Sequence, residues 1–189
     1  MSAYKSPLHE MSETTPTNHW NDSCANRELS YGVDHGAVGA TTNPVIVVDV
    51  LKKSYWEWDG RIRELIREAP ITTEGDVAWT LIGEMAIKAA ALLLPTFERT
   101  RGKKGRLSMQ TNAKHYGNAR AMVDQALHLA TLVPNLNVMM PVTAAGIAAI
   151  DAFTRVWNDR ATPFTWIKTA DQILTKATRK TVEDSGAGH

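Results

Sequence analysis

The sequence contains a single cysteine, Cys24, among 189 residues. One thiol excludes a framework of internal disulfides and fits a protein of a reducing compartment. The first nineteen residues lack the apolar segment that a signal peptide needs. The longest apolar run, residues 86–95, is interrupted by Lys88 and is too short to span a bilayer. We therefore expect a cytoplasmic protein without a membrane anchor.

The sequence also lacks an excess of either charge, with 21 Lys and Arg against 20 Asp and Glu. This balance argues against a surface that binds polyanions. The six histidines are scattered and show no spacing typical of metal ligands. The Gly102–Gly105 segment fits no phosphate-loop pattern, so it is interpreted as a solvated basic loop. We expect neither a metal nor a cofactor.

The strongest pattern in the chain is an alternation of strands and helices. A short strand ending at Asp22, a helix over residues 26–33 and a strand over residues 38–42 predict a βαβ unit, which builds a parallel sheet. Further strands are predicted at 106–112 and 138–143, and helices at 114–132 and from residue 144. Four such units without a hairpin predict an α/β fold, either half of an eight-unit barrel or a small doubly wound sheet.

The segments around these units have weaker signals. Residues 1–18 are polar and are expected to form a loose lead-in. Thr72 or Thr73 should cap a helix that runs from Val77 to Leu94 and ends before Pro95. Past Asp151 no further strand is predicted. The expected divisions are therefore 1–18, a barrel-like region at 19–150, and a helical tail at 151–189.

Polar side chains follow the predicted strands where parallel-barrel enzymes place catalytic groups. They are listed in chain order: Asp22, Asn43, Gln110 or Asn112, and Thr143. Pro44 restricts Asn43 to an extended conformation, which would aim its amide. One carboxylate among amides and hydroxyls suits proton transfer beside a carbonyl substrate. Taken alone, the turn is more typical of an ordinary Asn-Pro turn than of a site.

Four motifs resemble, in order and spacing, the successive strands of the transaldolase family. They are WNDS at 20–23, GAVGATTNP at 36–44, GRLSMQTN at 105–112, and PVT followed by AGI at 141–147. The resemblance covers roughly residues 16–150. It implies a (β/α)₈ barrel that moves a dihydroxyacetone unit between sugar phosphates of the pentose phosphate pathway, through a lysine Schiff base.

The resemblance also implies roles for individual residues. Asp22 would handle protons on the substrate hydroxyl. Asn43, Thr42 and Thr143 would line the substrate site. Gln110 stands where many members carry a glutamate that acts through water, and an uncharged amide cannot accept that proton. A sugar phosphate is the implied ligand.

Two departures from the family pattern predict an inactive protein. Met139 occupies the position of the Schiff-base lysine, and a thioether cannot form an imine. Lys104 and Lys114 are predicted on a loop and a helix, so they should not replace it. In addition, four strands are predicted where the family barrel has eight. We interpret the region as a truncated barrel that lacks the phosphate-binding residues of the later strands.

The tail from Phe153 to His189 resembles the extreme C-terminus of the DDE transposases of insertion sequences. The segments WNDR at 157–160 and PFTWIKTAD at 163–171 carry this resemblance. None of the transposase acidic triad lies in such a tail, so no strand-transfer activity is implied. The resulting hypothesis is a half transaldolase joined to a foreign tail, and the alternative is a lineage-specific helix.

Three functions are therefore left open. The first is an inactive protein derived from a transaldolase. The second is a non-enzymatic binding protein whose open barrel edges pair in a homo-oligomer. The third is a nucleic-acid role inherited through the tail, but the tail's basic residues are offset by Asp171, Glu183 and Asp184, which argues against it.

Overall fold

The computed structural model describes residues 4–71 and 73–160. The chain divides into two compact units, Met1–Phe153 and Thr154–His189. The first unit carries all the strands of the described part. Of the second unit only residues 154–160 are described, and they are helical. The predicted tail from residue 161 onward, and Thr72, lie outside the described residues.

Four strands and seven α-helices make up this described part. In chain order they are α1 Pro7–Thr14, β1 His19–Asn21, α2 Asn26–Asp34, β2 Ala37–Thr42, α3 Pro44–Lys53, α4 Tyr55–Glu68, α5 Glu74–Arg99, β3 Arg106–Gln110, α6 Ala119–Ala130, β4 Leu136–Met139 and α7 Ala144–Arg160. A single 3₁₀ turn, Ala113–His115, lies between β3 and α6.

The strands form one parallel sheet in the order β1-β2-β3-β4. A doubly wound sheet reverses its strand order at a switch point, where helices begin to cover the other face. This sheet shows no reversal, because each strand is added beside the previous one. The observed order therefore favours the predicted partial barrel over the doubly wound alternative.

The two faces of the sheet differ in composition. We call one the helix face, and its side chains belong to the main apolar core: Ala40, Leu107, Met109, Leu136 and Val138. Successive strand residues point to opposite faces, so the alternate positions form what we call the polar face. Its members are Trp20, Gly39, Thr41, Ser108, Gln110, Asn137 and Met139.

Helix α5 supplies much of the core. Its buried side chains include Leu81, Met85, Ala89 and Leu93, and α5 contacts both β2 and β3. By length and composition alone it could cross a membrane. The apolar side of α5 packs against the sheet, which explains why this helix is so hydrophobic. Thr73 and Asp76 form a capping box at its start. Thr73 is therefore the cap, out of the two threonines that were predicted.

Several predicted boundaries were wrong for local reasons. Helix α5 continues through Pro95 to Arg99. Proline has no N–H, so the carbonyl of Ala91 loses its usual helical hydrogen bond. Ala91 is exposed, so that carbonyl can bind water instead. The predicted helix at 114–132 begins only at Ala119, since Asn118 Oδ1 accepts a hydrogen bond from Ala121 N at 3.1 Å and starts a new helix there.

Two further boundaries also moved. Residues 7–14 of the expected loose lead-in form α1, because Ser6 caps it and Pro7 suits a first helical position. Strand β4 starts at Leu136 and ends at Met139, so it lies earlier than the predicted 138–143. The residues after it include Pro141, which cannot donate to a ladder, and Val142, which is 90% exposed.

Candidate functional site

The predicted site positions lie at one edge of the sheet. Because the four strands are parallel, their carboxyl ends meet at that edge. Asp22 follows β1, Asn43 follows β2, Gln110 ends β3 and Met139 ends β4. Gln110 and Met139 are register partners, so about 5 Å separates their backbones. The structure thus brings together the four positions that the sequence singled out, and their chemical roles stay predictions.

Asp22 is held by its neighbour on β2. Thr41 Oγ1 donates a hydrogen bond to Asp22 Oδ1, which orients the carboxylate along the polar face. Asp22 is exposed, so its second oxygen is accessible to a ligand. Thr41 is in turn the register partner of Ser108. A continuous row of oxygen-bearing side chains therefore crosses three strands from the carboxylate.

Asn43 is both a strand-end residue and a helix cap. Its backbone is extended, with φ −147° and ψ 170°, as the following proline predicted. Its Oδ1 accepts hydrogen bonds from Val45 N at 2.9 Å and Ile46 N at 3.0 Å. The amide oxygen is therefore used to start α3. The side-chain group of Asn43 that is left to contact a ligand is the N–H₂ of its amide.

Thr42 lies on the wrong face for its predicted role. It is 1% exposed and neighbours Cys24 under the helix layer. Burial raises the pKa of the Cys24 thiol, and the Thr42 hydroxyl partly opposes that shift. Strand alternation turns Thr42 away from the polar face and presents Thr41 instead. The predicted contact of Thr42 with a substrate stays a prediction that this orientation does not favour.

Thr143 uses its hydroxyl for internal bonds. Its Oγ1 donates to Tyr116 O at 2.9 Å and accepts from Gly146 N at 2.9 Å. A Cβ on Gly146 would lie 1.8 Å from Pro141 O, so this turn requires glycine. The structure gives Thr143 the role of a cap for α7, while the predicted substrate contact stays a prediction.

The two lysines that the sequence raised as substitutes, Lys104 and Lys114, are placed elsewhere by the described contacts. Lys114 lies on the 3₁₀ turn after β3, with Nζ 4.0 Å from the point that a Cβ on Gly75 would occupy. The pKa of Asp76 is lowered mainly by hydrogen bonds from Thr73, and less by the charge of Lys114. Lys104 precedes β3, so it lies at the opposite edge of the sheet. The expectation that neither amine replaces the lysine missing at position 139 stays a prediction.

Sequence reasoning missed three members of this site. Thr41, Ser108 and Asn137 form the row of register partners below the strand ends. Period-two alternation within RLSMQ was the available signal, because the polar Ser108 and Gln110 alternate with the apolar Leu107 and Met109.

A groove of about 400 Å³ between α5 and α6 lies outside this edge. Its acidic groups are already engaged, because Asp76 belongs to the α5 cap and Glu84 pairs with Arg61 at 2.7 Å. Within residues 4–71 and 73–160, no cluster of three His, Cys, Asp or Glu side chains could hold a metal ion. The edge formed by the strand ends is therefore the better candidate site.

The sequence relationships agree with this geometry. A profile of the Transaldolase/Fructose-6-phosphate aldolase family matches residues 19–178. The match extends past residue 150 and overlaps most of the tail for which a transposase origin was predicted. That origin stays a prediction.

Curated relatives include a transaldolase of Thermobifida fusca, which is 30% identical over 162 residues, 78% of this chain and 41% of the relative. Transaldolase 2 of Streptomyces coelicolor is 31% identical over 140 residues, 69% of this chain and 37% of the relative. A transaldolase of Thiobacillus denitrificans is 31% identical over 125 residues, which are 65% of this chain and 34% of the relative. The chain thus spans about two fifths of the length of these relatives. It belongs to the transaldolase/fructose-6-phosphate aldolase family.

Proposed function

We propose that this chain binds a sugar phosphate at the carboxyl edge of its sheet without carrying out Schiff-base transfer. The relatives are named transaldolases, and the family implies a ketose phosphate as the ligand. Met139 is the observation that carries the second half of the proposal. It ends β4 beside Gln110, and its thioether cannot attack a carbonyl to form an imine.

The polar groups that could bind such a ligand are still present. The Asp22 carboxylate accepts a hydrogen bond from Thr41 and remains exposed on its other side. The amide N–H₂ of Asn43 and the amide of Gln110 lie at the adjacent ends of β2 and β3. Gln110 can donate to or accept from a hydroxyl, but it cannot act as a general base. This set favours recognition of a polyol over proton transfer.

The proposed lack of turnover has a second basis. Residues 4–160 supply four strand ends, and the family resemblance places the phosphate-binding groups on later strands. A ligand held only by the groups described here would be bound loosely at its phosphate end. We therefore propose weak binding, and we propose that this chain corresponds to an inactive first half of the family barrel.

A substitution series tests the proposal. Met139→Lys restores an amine at the end of β4, and Val142→Lys adds a matched amine at a nearby site that is 90% exposed. Each protein is incubated with fructose 6-phosphate and borohydride, and its intact mass is measured. We expect an added mass for Met139→Lys above that for Val142→Lys, because position 139 is the register partner of Gln110 at the strand ends.

Transfer activity is measured in the same samples with erythrose 4-phosphate as acceptor. Met139→Lys should form the adduct but should show transfer near the background rate. Equal labelling of the two lysine variants would refute the assignment of the site. Rapid transfer by Met139→Lys would refute the claim that these four strand ends are insufficient.

A further inference from the structure

One face of the sheet is left without helices by the topology of the described part. Right-handed β–α–β crossovers that always advance in the same direction place their helices on one face. The observed order, β1-β2-β3-β4, is of this kind. Helices α2, α5 and α6 accordingly contact the strands from the helix face. Parallel sheets are normally covered on both faces, so the polar face requires a partner.

The composition of the polar face suits the interior of a closed barrel. The ring of Trp20 covers Gly39, where an added Cβ would lie 2.6 Å from a ring carbon. Trp20 is still 38% exposed. Thr41 and Ser108 are small, and Asn137 Oδ1 accepts a hydrogen bond from Arg106 at 3.3 Å. The small side chains in the middle of this face leave room for side chains from an opposing sheet.

Both outer strands also carry backbone groups without a ladder partner among the described strands. The carbonyls of Asn135, just before β4, and of Met139, at its end, accept hydrogen bonds from Leu107 N and Thr111 N on the β3 side, each at 3.0 Å. Backbone groups alternate in direction along a strand, so those of Leu136 and Val138 point to the free edge. An edge of this kind is a template for pairing with another strand.

We propose that two copies of this chain close their sheets into one eight-stranded parallel barrel. A two-fold axis parallel to the strands keeps all eight strands in the same direction. It sets β4 of each copy against β1 of the other, so one type of contact is made twice and no edge remains. Four strands from each copy give the eight that close a parallel barrel. The two polar faces then meet as its interior.

This inference does not depend on ligand binding or on the absence of Schiff-base chemistry. Its first test is the mass of the 189-residue chain by analytical ultracentrifugation, from about 1 to about 100 μM. We expect a concentration-dependent species of twice the 20.8 kDa mass of one chain. Hydrogen exchange in the same samples should show that the Leu136 and Val138 amides gain protection as the dimer forms.

A pair of substitutions at one position tests the location of the contact. Val138→Pro removes the outward N–H of β4, whereas Val138→Ala shortens the same side chain and keeps that N–H. Because the contact is made twice, Val138→Pro removes two backbone hydrogen bonds per dimer, and we expect the dimer dissociation constant to rise by at least about tenfold. Val138→Ala should stay within about threefold of the unmodified chain. Circular dichroism verifies that both variants are folded.

Each contrary outcome overturns the proposal. A monomer at all concentrations with the two amides already protected would mean that another part of the same chain covers β4. A monomer with unprotected amides would mean that the edge stays open. A dimer that Val138→Pro leaves unchanged would place the contact on another surface. If Val138→Pro does not fold, the concentration dependence of hydrogen exchange in the unmodified chain decides.

Discussion

The two faces of the sheet are built from alternate residues of the same strands, yet they carry different information. On β3, Leu107 and Met109 are buried in the apolar core of the helix face, while Ser108 and Gln110 belong to the polar face. The helix face is made of hydrocarbon side chains, which specify burial but no chemistry. The polar face carries the groups that resemble a transaldolase site. Met139 is an apolar residue on that second face, where the family places an amine.

The largest effect on stability should come from the helix face. Leu107 is fully buried at the centre of the sheet, so Leu107→Ala should destabilise the chain by about 3 kcal/mol. Ser108→Ala changes the next residue, which is also buried but loses only a hydroxyl, and it should cost less than half as much. Urea unfolding of both variants measures the difference. Equal losses would show that the two faces are packed alike.

A buried amide gives the next largest effect. Asn135 is 1% exposed, and its Nδ2 donates to Ala90 O and Gly105 O, both at 2.9 Å. Asn135→Ala leaves two buried carbonyls without that donor and should cost about 2 kcal/mol. Asn137→Ala, on the polar face, serves as the matched control and should cost less than half as much in the same unfolding experiment. The reverse order would contradict the comparison.

A smaller effect is expected from the bond between Thr41 and Asp22. Thr41→Val keeps the shape of the side chain and removes the hydroxyl that orients the carboxylate. Because Asp22 is exposed, the stability should change by less than about 0.5 kcal/mol. Binding of fructose 6-phosphate, measured by calorimetry, should weaken several-fold if Asp22 contacts the ligand. Unchanged binding would remove Asp22 and Thr41 from the site.

The smallest effect is expected in the pH dependence of stability, and it comes from the cap at the start of α5. Hydrogen bonds from Thr73 hold the pKa of Asp76 below its usual range. A carboxyl with a lowered folded pKa adds stability above its unfolded pKa of about 3.9 and loses it as the pH falls through the folded value. Asp76→Asn should therefore reduce the difference in stability between pH 5 and pH 2.5. A pH profile identical to that of the unmodified chain would exclude this cap as an acid-sensitive element.

Sequence patterns predicted the helix face better than the polar face. The strands and the βαβ units follow from apolar patterning, because burial of hydrocarbon dominates folding, whereas the strand order came only from the structure. The start of α6 was missed because the Asn118 cap was not recognised within an otherwise helical pattern. The extent of β4 was missed because Val142 resembles a strand residue but is exposed.

The site was predicted by position and missed in orientation. Asp22, Asn43, Gln110 and Met139 lie together because parallel strands share one carboxyl edge. The choice between Thr41 and Thr42 depends on which residue of the pair faces the helices, and an apolar pattern of small residues does not reveal that. The bonds that occupy Asn43 Oδ1 and the Thr143 hydroxyl depend on local turn geometry. A motif match alone therefore overstates how many of its side chains are available to a ligand.

We propose that the unmodified chain cannot form the Schiff base of its family. The most direct test is borohydride trapping of the unmodified chain with fructose 6-phosphate, read by intact mass, beside the Thermobifida fusca transaldolase as a positive control. We predict an unchanged mass for this chain and a labelled control. A stable added mass on the unmodified chain, mapped to one lysine, would contradict the claim and identify another amine as the nucleophile.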